Sequence, residues 1–515
     1  MTTSQTQRAA PRVRAPWSAL AALMVGFFLL MLDTTVVVVA MPKLSADLHT
    51  DISTTVWVTS SYLLAYSVPL LLAGRLGDRF GAKRIYLIGM AVFTAASLLC
   101  GLATGIGQLI AFRALQGLGA AGMSPQSMAI ISKTFPKEVR GRAMSYWGLV
   151  SGGAVLVGPV CGGLLVDSLG WRSIFLINVP IGIVGLLVAR RFVPALSGDP
   201  HRFDIVGVLI SGLSLFCLVY GLENGSGYDW SEITDDLVVL GHHTGISVGV
   251  PEILVLGVVF GAGFVAWERV NKSEPLVPMG IFRVRTFAAA NLAIVAAGFA
   301  TVAASFPGTL YFQAGRGMTP AEAALMMLPS ALVSVPLAPW IGRLVDKVGP
   351  KWPAFTGLAL FSSALFVRHF LMTPDMSLAV LLVHAAWMGA SSSLMMSPLA
   401  VAAMQGLPPT YIGAGSGVFN ASRQIGATLG AAVIATVMTA QFKTQIAAHA
   451  AGLGASRRKA VESIDFQRLE SGRGVQDSVR TVVSAVMANA LLWPAAAMAI
   501  GAAMVLLVRS PAPKE

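Results

Sequence analysis

Long apolar stretches recur from one end of the chain to the other, and nothing else in the sequence limits its fold as much. A helix needs about 20 such residues to cross a bilayer. Fourteen stretches qualify: roughly 17–40, 54–74, 85–104, 108–132, 143–166, 173–192, 205–223, 252–269, 287–312, 322–342, 353–371, 377–404, 411–440 and 481–508. The eighth is short, and the thirteenth is interrupted by Arg423 and several glycines. Only 12% of the residues are charged, about half the share of soluble domains. The expected class is an all-α integral membrane protein. Arg8, Arg12 and Arg14 precede the first stretch, which is too long for a signal-peptide core and has no small-residue cleavage site after it. It reads as a retained first span. Cys100, Cys161 and Cys217 lie inside apolar blocks, without the spacing of a disulfide framework or zinc site.

Lys and Arg placement sets the expected sidedness. With the N-terminus inside, inner segments hold 23 of the 36 basic residues and outer segments hold 11. Seven of those 11 fall in one long loop, 441–480, where the positive-inside rule is weak. That loop also holds Glu462, Asp465, Glu470 and Asp477, a mixture that fits an outer helix or hairpin. Both termini are therefore expected in the cytoplasm. The formal charge of +12 reads as a topology and anionic-lipid signal. No basic patch is interleaved with exposed aromatics, so nucleic acid is not an expected partner.

Two segments repeat. Gly74–Arg84 reads GRLGDRFGAKR and Gly342–Lys351 reads GRLVDKVGPK, with Gly, Arg, Leu, Asp, Gly and Lys in register 268 residues apart. Each follows an even-numbered span, so both lie on one side and the repeats are parallel. The second copy follows span 10, where a six-plus-six arrangement places it after span 8. Two spans must therefore be inserted. The expected organisation is a cytoplasmic tail, 1–16; a six-helix half, 17–192; a linker, 193–286, carrying inserted helices near 205–223 and 252–269; and a second half, 287–508, including outer loop 441–480. A tail, 509–515, closes the chain.

Several residues stand out against this background. Asp33, in MLDTTVVVVA, is a carboxylate at bilayer depth, where a charge costs several kcal/mol unless paired or neutralised. Arg113, in span 4, lies within about 4–5 Å of the same depth, counting 1.5 Å per residue. The two are candidate partners; snorkelling of Arg113 to the interface is the alternative. Gln116, Gly117 and Gly119 beside Arg113 favour close helix packing. In the repeated segment, Asp78 is placed to accept hydrogen bonds from an Arg or from a helix N-terminus. Gly74, Arg79, Gly81, Arg84, Gly342 and Asp346 complete the candidate switch loops, for which a solvated basic loop is the simpler reading. Span 5 carries GGAVLVGPVCGG, where Gly153, Gly158, Pro159, Gly162 and Gly163 permit tight crossing and a kink.

Other polar residues are less telling. Glu223, at the outer end of span 7, reads as a solvated interfacial carboxylate or as part of a substrate or proton path, with Arg423, Gln116 and Asn420. Glu268 reads as a surface ion pair with Arg269, and His369 and His384 as satisfied or interfacial histidines. Arg423 has no deep carboxylate to meet in spans 9–14. There is no GxxxxGK[ST] phosphate loop, no HExxH, no CxxC and no GxSxG, so no enzyme is expected and ATP is not the direct energy source.

Seven segments in order resemble the fourteen-span drug:proton antiporter branch of the major facilitator superfamily. LDTTVVVVAMP resembles its span-1 signature, GRLGDRFGAKR the loop after span 2, and RALQGLGAAG the span-4 signature linked with proton coupling. GPVCGG resembles the exporter signature, and WRSIFLINVPIG, WERVNKSEPLVPMGIFRVRTF and GSGVFNASRQIGATLG are similar to further fourteen-span signatures. The resemblance implies a 6+2+6 major facilitator fold in a bacterial inner membrane. It implies export of a small hydrophobic drug or antibiotic by alternating access, driven by protons with no cofactor or metal, in a monomer. Asp33 and Arg113 would form the proton-coupling site. Two departures are visible: Val38 stands where relatives carry Asn, and spans 9–14 lack the acids that some relatives use for cationic drugs. Import of one specific solute and a non-transporting membrane sensor are the competing readings.

Overall fold

The computed structural model describes residues 16–50, 52–196, 198, 204–228, 230–234, 238–239, 242–243, 247–271, 275–451 and 477–508. The first group of helices comprises α1 (Pro16–Asp47), α2 (Ile52–Ser67), α3 (Leu70–Phe80), α4 (Ala82–Leu102), α5 (Ile106–Thr134), α6 (Lys137–Leu169), α7 (Ser173–Leu176) and α8 (Asn178–Phe192). Then come α9 (Ile205–Asn224) and α10 (Val250–Val270). The second group comprises α11 (Arg285–Leu310), α12 (Pro320–Leu325), α13 (Leu328–Val348), α14 (Lys351–Leu371), α15 (Leu378–Met404), α16 (Ile412–Ala451), α17 (Asp477–Ala490) and α18 (Leu492–Val505).

Among the described residues eleven helical segments are long and apolar enough to cross a membrane, or twelve when the bent pair α2–α3 is one span. That pair turns by 44° at the break before Leu70, where Pro69 has no N–H to continue the helical ladder. The repeated segments are not loops. Helix runs through the first copy to Phe80 and through the second to Val348. Each stops at a glycine, Gly81 at φ 90° and Gly349 at φ 79°. Only glycine adopts this left-handed backbone without a Cβ penalty.

In the first group α1 packs on α6 and α8, α4 on α5 and α8, and α2 on α5. In the second, α11 packs on α15, α16 and α18, and α14 on α15 and α18. The groups meet where α3 and α5 touch α16, and where α6 touches α13 and α15. Helices α9 and α10 pack on each other, and α9 also touches α2 and α16. Their connection contains two small antiparallel pairs, β1 (Glu232–Thr234) with β4 (Val248–Gly249) and β2 (Val238–Val239) with β3 (His242–His243).

The expected outer loop 441–480 is partly helical. α16 continues to Ala451, because its end is rich in alanine, the strongest helix former, and α17 begins at Asp477. Most of the charged residues assigned to that loop lie outside the described residues, as do tails 1–15 and 509–515. The sequence GGAVLVGPVCGG stays within one unbroken helix, α6.

Candidate functional site: a buried ion pair and two helix caps

Asp33 is almost fully buried. The threonines after it cannot serve it, since Thr34 and Thr35 donate to carbonyls of their own helix at Met31 (2.7 Å) and Leu32 (2.9 Å). Its partners come from α5 and α8. Arg113 Nη1 donates to Asp33 Oδ2 at 2.5 Å, and Gln116 Nε2 and Asn178 Nδ2 donate to Oδ1 at 2.8 and 3.1 Å. Arg113, fully buried, also donates from Nη1 to Gln116 Oε1 (2.7 Å) and from Nε to the Val58 carbonyl (3.0 Å). Its guanidinium lies 4.2 Å from the centroid of the Tyr62 ring and 5.7 Å from that of Phe175. A second hydrogen bond from Gln116 Nε2, to Ser97 Oγ at 2.8 Å, fixes the amide between α4, α5 and α1. Three hydrogen bonds thus converge on the carboxylate oxygens.

Arg113 therefore turns inward rather than snorkelling. Asn178, Ser97, Tyr62 and Phe175 were not picked out from the sequence. Asn178 lies within WRSIFLINVPIG and, as an amide in an apolar run, carried the same signal as Asp33. Val38 is 54% exposed and takes no part in this cluster. The polar support of Asp33 comes from other helices, so the valine at that position does not impoverish it.

Gly158 and Gly162 bring α6 against α1 beside this cluster. A Cβ on Gly158 would overlap the Thr35 side chain, and one on Gly162 would lie 3.3 Å from the Val36 carbonyl oxygen. Gly163 faces open space. Gly153 and Pro159 lie in the same helix.

The repeated segments make two matching contacts between the helix groups. Asp78 accepts from the N–H groups of Gly413 (3.1 Å) and Ala414 (2.9 Å) in the first turn of α16, and from Lys133 Nζ (3.0 Å). Asp346 accepts from Gly141 (2.6 Å) and Arg142 (3.2 Å), the fifth and sixth residues of α6. The N–H groups that Asp78 binds are among the first of their helix, which have no partner within it, and the dipole there favours negative charge. Glycine permits each approach: a Cβ on Gly74 would come within 2.5 Å of the Gly413 oxygen, and one on Gly342 within 2.5 Å of the Arg142 Cα. Arg79 packs over Phe80, and Arg84 is exposed. About two turns further along α16, buried Asn420 accepts from Ser124 Oγ of α5 at 2.9 Å.

Two carboxylates depart from their expected roles. Glu268 is not a surface partner of Arg269. It is buried, and it accepts from the backbone N–H groups of Leu276 (3.1 Å) and Val277 (3.2 Å). Arg75 holds the same linker from the other side, donating from Nε to the Leu276 carbonyl (2.8 Å) and from Nη2 to that of Pro275. Adjacency in sequence pointed Glu268 at Arg269, but the linker folds back over the end of α10 and offers unpaired N–H groups instead. Glu223 is not simply solvated: its Oε2 is buried without a hydrogen-bond partner among the described residues. The same holds for Nε of Arg423, which the structure does not bring to Asp33. His384 is satisfied, with Nε2 2.8 Å from the Ala364 carbonyl.

The family model for the Major Facilitator Superfamily matches residues 23–431. The chain belongs to the Major Facilitator Superfamily. This is a family of membrane transporters, not enzymes. An MFS-type transporter of Mycobacterium tuberculosis is 41% identical over 482 residues, covering 94% of this chain and 79% of the relative. The tetracenomycin C resistance and export protein of Streptomyces glaucescens is 31% identical, covering 83% of this chain and 76% of its own length. Among solved structures, the proton:xylose symporter XylE superposes with a TM-score of 0.60 at 14% identity, covering 97% of each chain. That likeness establishes the fold.

Proposed function

We propose that this protein is a proton-coupled exporter that moves small hydrophobic drugs or antibiotics out of the cytoplasm or inner leaflet by alternating access. The observation that carries the reading is the sealed pair of Asp33 and Arg113, held by Gln116 and Asn178 from three helices. Several relatives are named for antibiotic or multidrug resistance and export. A carboxylate so enclosed has two states of different cost. Ionised, it needs Arg113; protonated, it is cheap to bury and releases the guanidinium. Protonation thereby alters the packing of α1 against α5 and α8, and this difference couples proton occupancy to conformation. The energy source is the proton gradient, with no cofactor, and the transporter works as a monomer in a bacterial inner membrane.

The architecture we assign is fourteen spans, in the antiporter branch with that number. Helices α5 and α6, at 29 and 33 residues, are long enough to cross but more polar than the twelve apolar segments. Adding them gives six spans over 17–192, the inserted pair α9–α10 within 193–286, and six spans over 287–508. Both termini and both helix caps are assigned to the cytoplasmic side, so the caps close the cytoplasmic end. The absence of any Asp or Glu within α11, α14 and α15 supports neutral or zwitterionic cargo.

The test is efflux from vesicles with an imposed proton gradient. Asp33→Asn keeps the shape but not the charge, and abolishes gradient-driven efflux at normal protein levels. Undiminished efflux by that variant would remove the basis of the proposal.

A further inference from the structure

Among the described residues, the second helix group contains a buried cation with no carboxylate paired to it. Arg368, in the last turn of α14, is 9% exposed. Its guanidinium occupies the niche left by Gly308 of α11, where a Cβ would lie 2.8 Å from Nη2. It lies 5.7 Å from the Phe312 ring centroid. Nη1 has one partner, the thioether sulfur of Met388 on α15, at 3.7 Å. Sulfur is a weak acceptor, and a guanidinium has five N–H donors and stays charged. No carboxylate pairs with it among the described residues, and α11, α14 and α15 contain none. The carbonyl end of its own helix supplies only roughly half a negative charge.

The internal repeat shows that this is not an arbitrary position. Gly89 of α4 packs on Gly122 and Met123 of α5; Gly357 of α14, 268 residues later, packs on Leu394 and Met395 of α15. That pairing sets the register as 268 for α4 to α14 and 272 for α5 to α15. It carries Cys100 onto Arg368 and Gln116 onto Met388. The contact between Cys100 Sγ and Gln116 Oε1, at 3.9 Å, is thus repeated as the contact between Arg368 and Met388. In the first group this contact lies beside the Asp33 carboxylate, which Gln116 also holds. The second group keeps a corresponding position with a cation in it and, among the described residues, no acid paired with it.

We propose that the niche around Arg368 is a binding site for a small inorganic anion of halide size, which supplies the charge that Asp33 supplies in the first group. A small anion fits better than a cargo carboxylate. The guanidinium's neighbours are Gly308, Phe312 and Met388, and it does not line the pocket between the groups, where Ser145 of α6 faces Ser334 of α13 and Ser393 of α15. The proposal does not depend on the direction or driving force of transport.

The test uses the purified full-length protein, with chloride or bromide exchanged for gluconate at constant ionic strength. Anything that binds only the folded state raises its melting temperature in a saturable way. The expected result is a saturable rise with either halide, lost in Arg368→Gln and weakened in Arg368→Lys. Equal melting in halide and gluconate, or a halide response that survives in Arg368→Gln, overturns the site. If Arg368→Gln does not fold, wild-type crystals grown in bromide decide: an anomalous peak within hydrogen-bonding distance of Arg368 supports the site, and its absence overturns it.

Discussion

Removal of Asp78 and of Asp346 should have unequal effects. Asp78→Ala deletes the acceptor for two N–H groups at the start of α16 and the partner of Lys133. Loss of a helix cap costs about 0.5–2 kcal/mol, and loss of a partly buried charge at the dipole about 1–2 kcal/mol. The Lys133 pair is partly exposed and adds only about 0.5 kcal/mol after screening. The contact between α3 and α16 should thus weaken by about 2–4 kcal/mol, a shift of roughly 30- to 1,000-fold towards the state in which this end is open. Asp346→Ala removes two N–H acceptances inside α6, and no salt bridge joins Asp346 among the described residues, so its shift should be smaller, about 2- to 30-fold for about 0.5–2 kcal/mol of lost hydrogen bonding. Spin labels on exposed Phe80 and on Tyr411, either side of the α3–α16 contact, allow the populations to be measured by pulsed dipolar spectroscopy. An unchanged distance distribution in Asp78→Ala, or a larger effect from Asp346→Ala, would refute the reading that Asp78 caps α16 and that these carboxylates hold the groups together.

Two further outcomes follow from the packing. Gly158→Val should abolish efflux in vesicles, because the new side chain meets Thr35, two residues from Asp33, whereas Gly163→Ala should be neutral, because it faces open space; equal loss in both would disconnect α6 packing from transport. Glu268→Ala should destabilise the fold by about 2–4 kcal/mol, since two backbone N–H groups lose a charged acceptor. A thermal unfolding scan of the purified protein measures this, and an unchanged transition would mean that the linker stays in place without Glu268.

Much of the site was legible where charge stood out against apolar sequence. Asp33 and Arg113 were visible as misplaced charges, and counting helical rise put them at one depth. Depth is all that such counting yields. Gln116 was visible as a neighbour of Arg113, but its two-way bond to Asp33 and Arg113 was not. Tyr62 and Phe175 were not legible, because aromatic residues in an apolar span look alike whether they face lipid or a cation. Glu268 misled for a related reason: a charge beside an opposite charge suggests a pair, but consecutive residues on a helix do not face each other.

The sequence by itself determined that the chain belongs with helical proteins that cross a membrane many times, and that two segments 268 residues apart carry the same Gly–Asp–Gly pattern. These follow from length, hydropathy and repetition, which act along one dimension. Only the tertiary structure decided that the repeated aspartates bind backbone N–H groups of the opposite group, that Asn178 completes the Asp33 cluster, and that no carboxylate pairs with Arg368 among the described residues. Helices that are apolar all round carry little rotational signal. Which face each turns to which neighbour is settled by close packing at glycines and by the need of every buried polar atom for a partner, and those arise only when the helices meet.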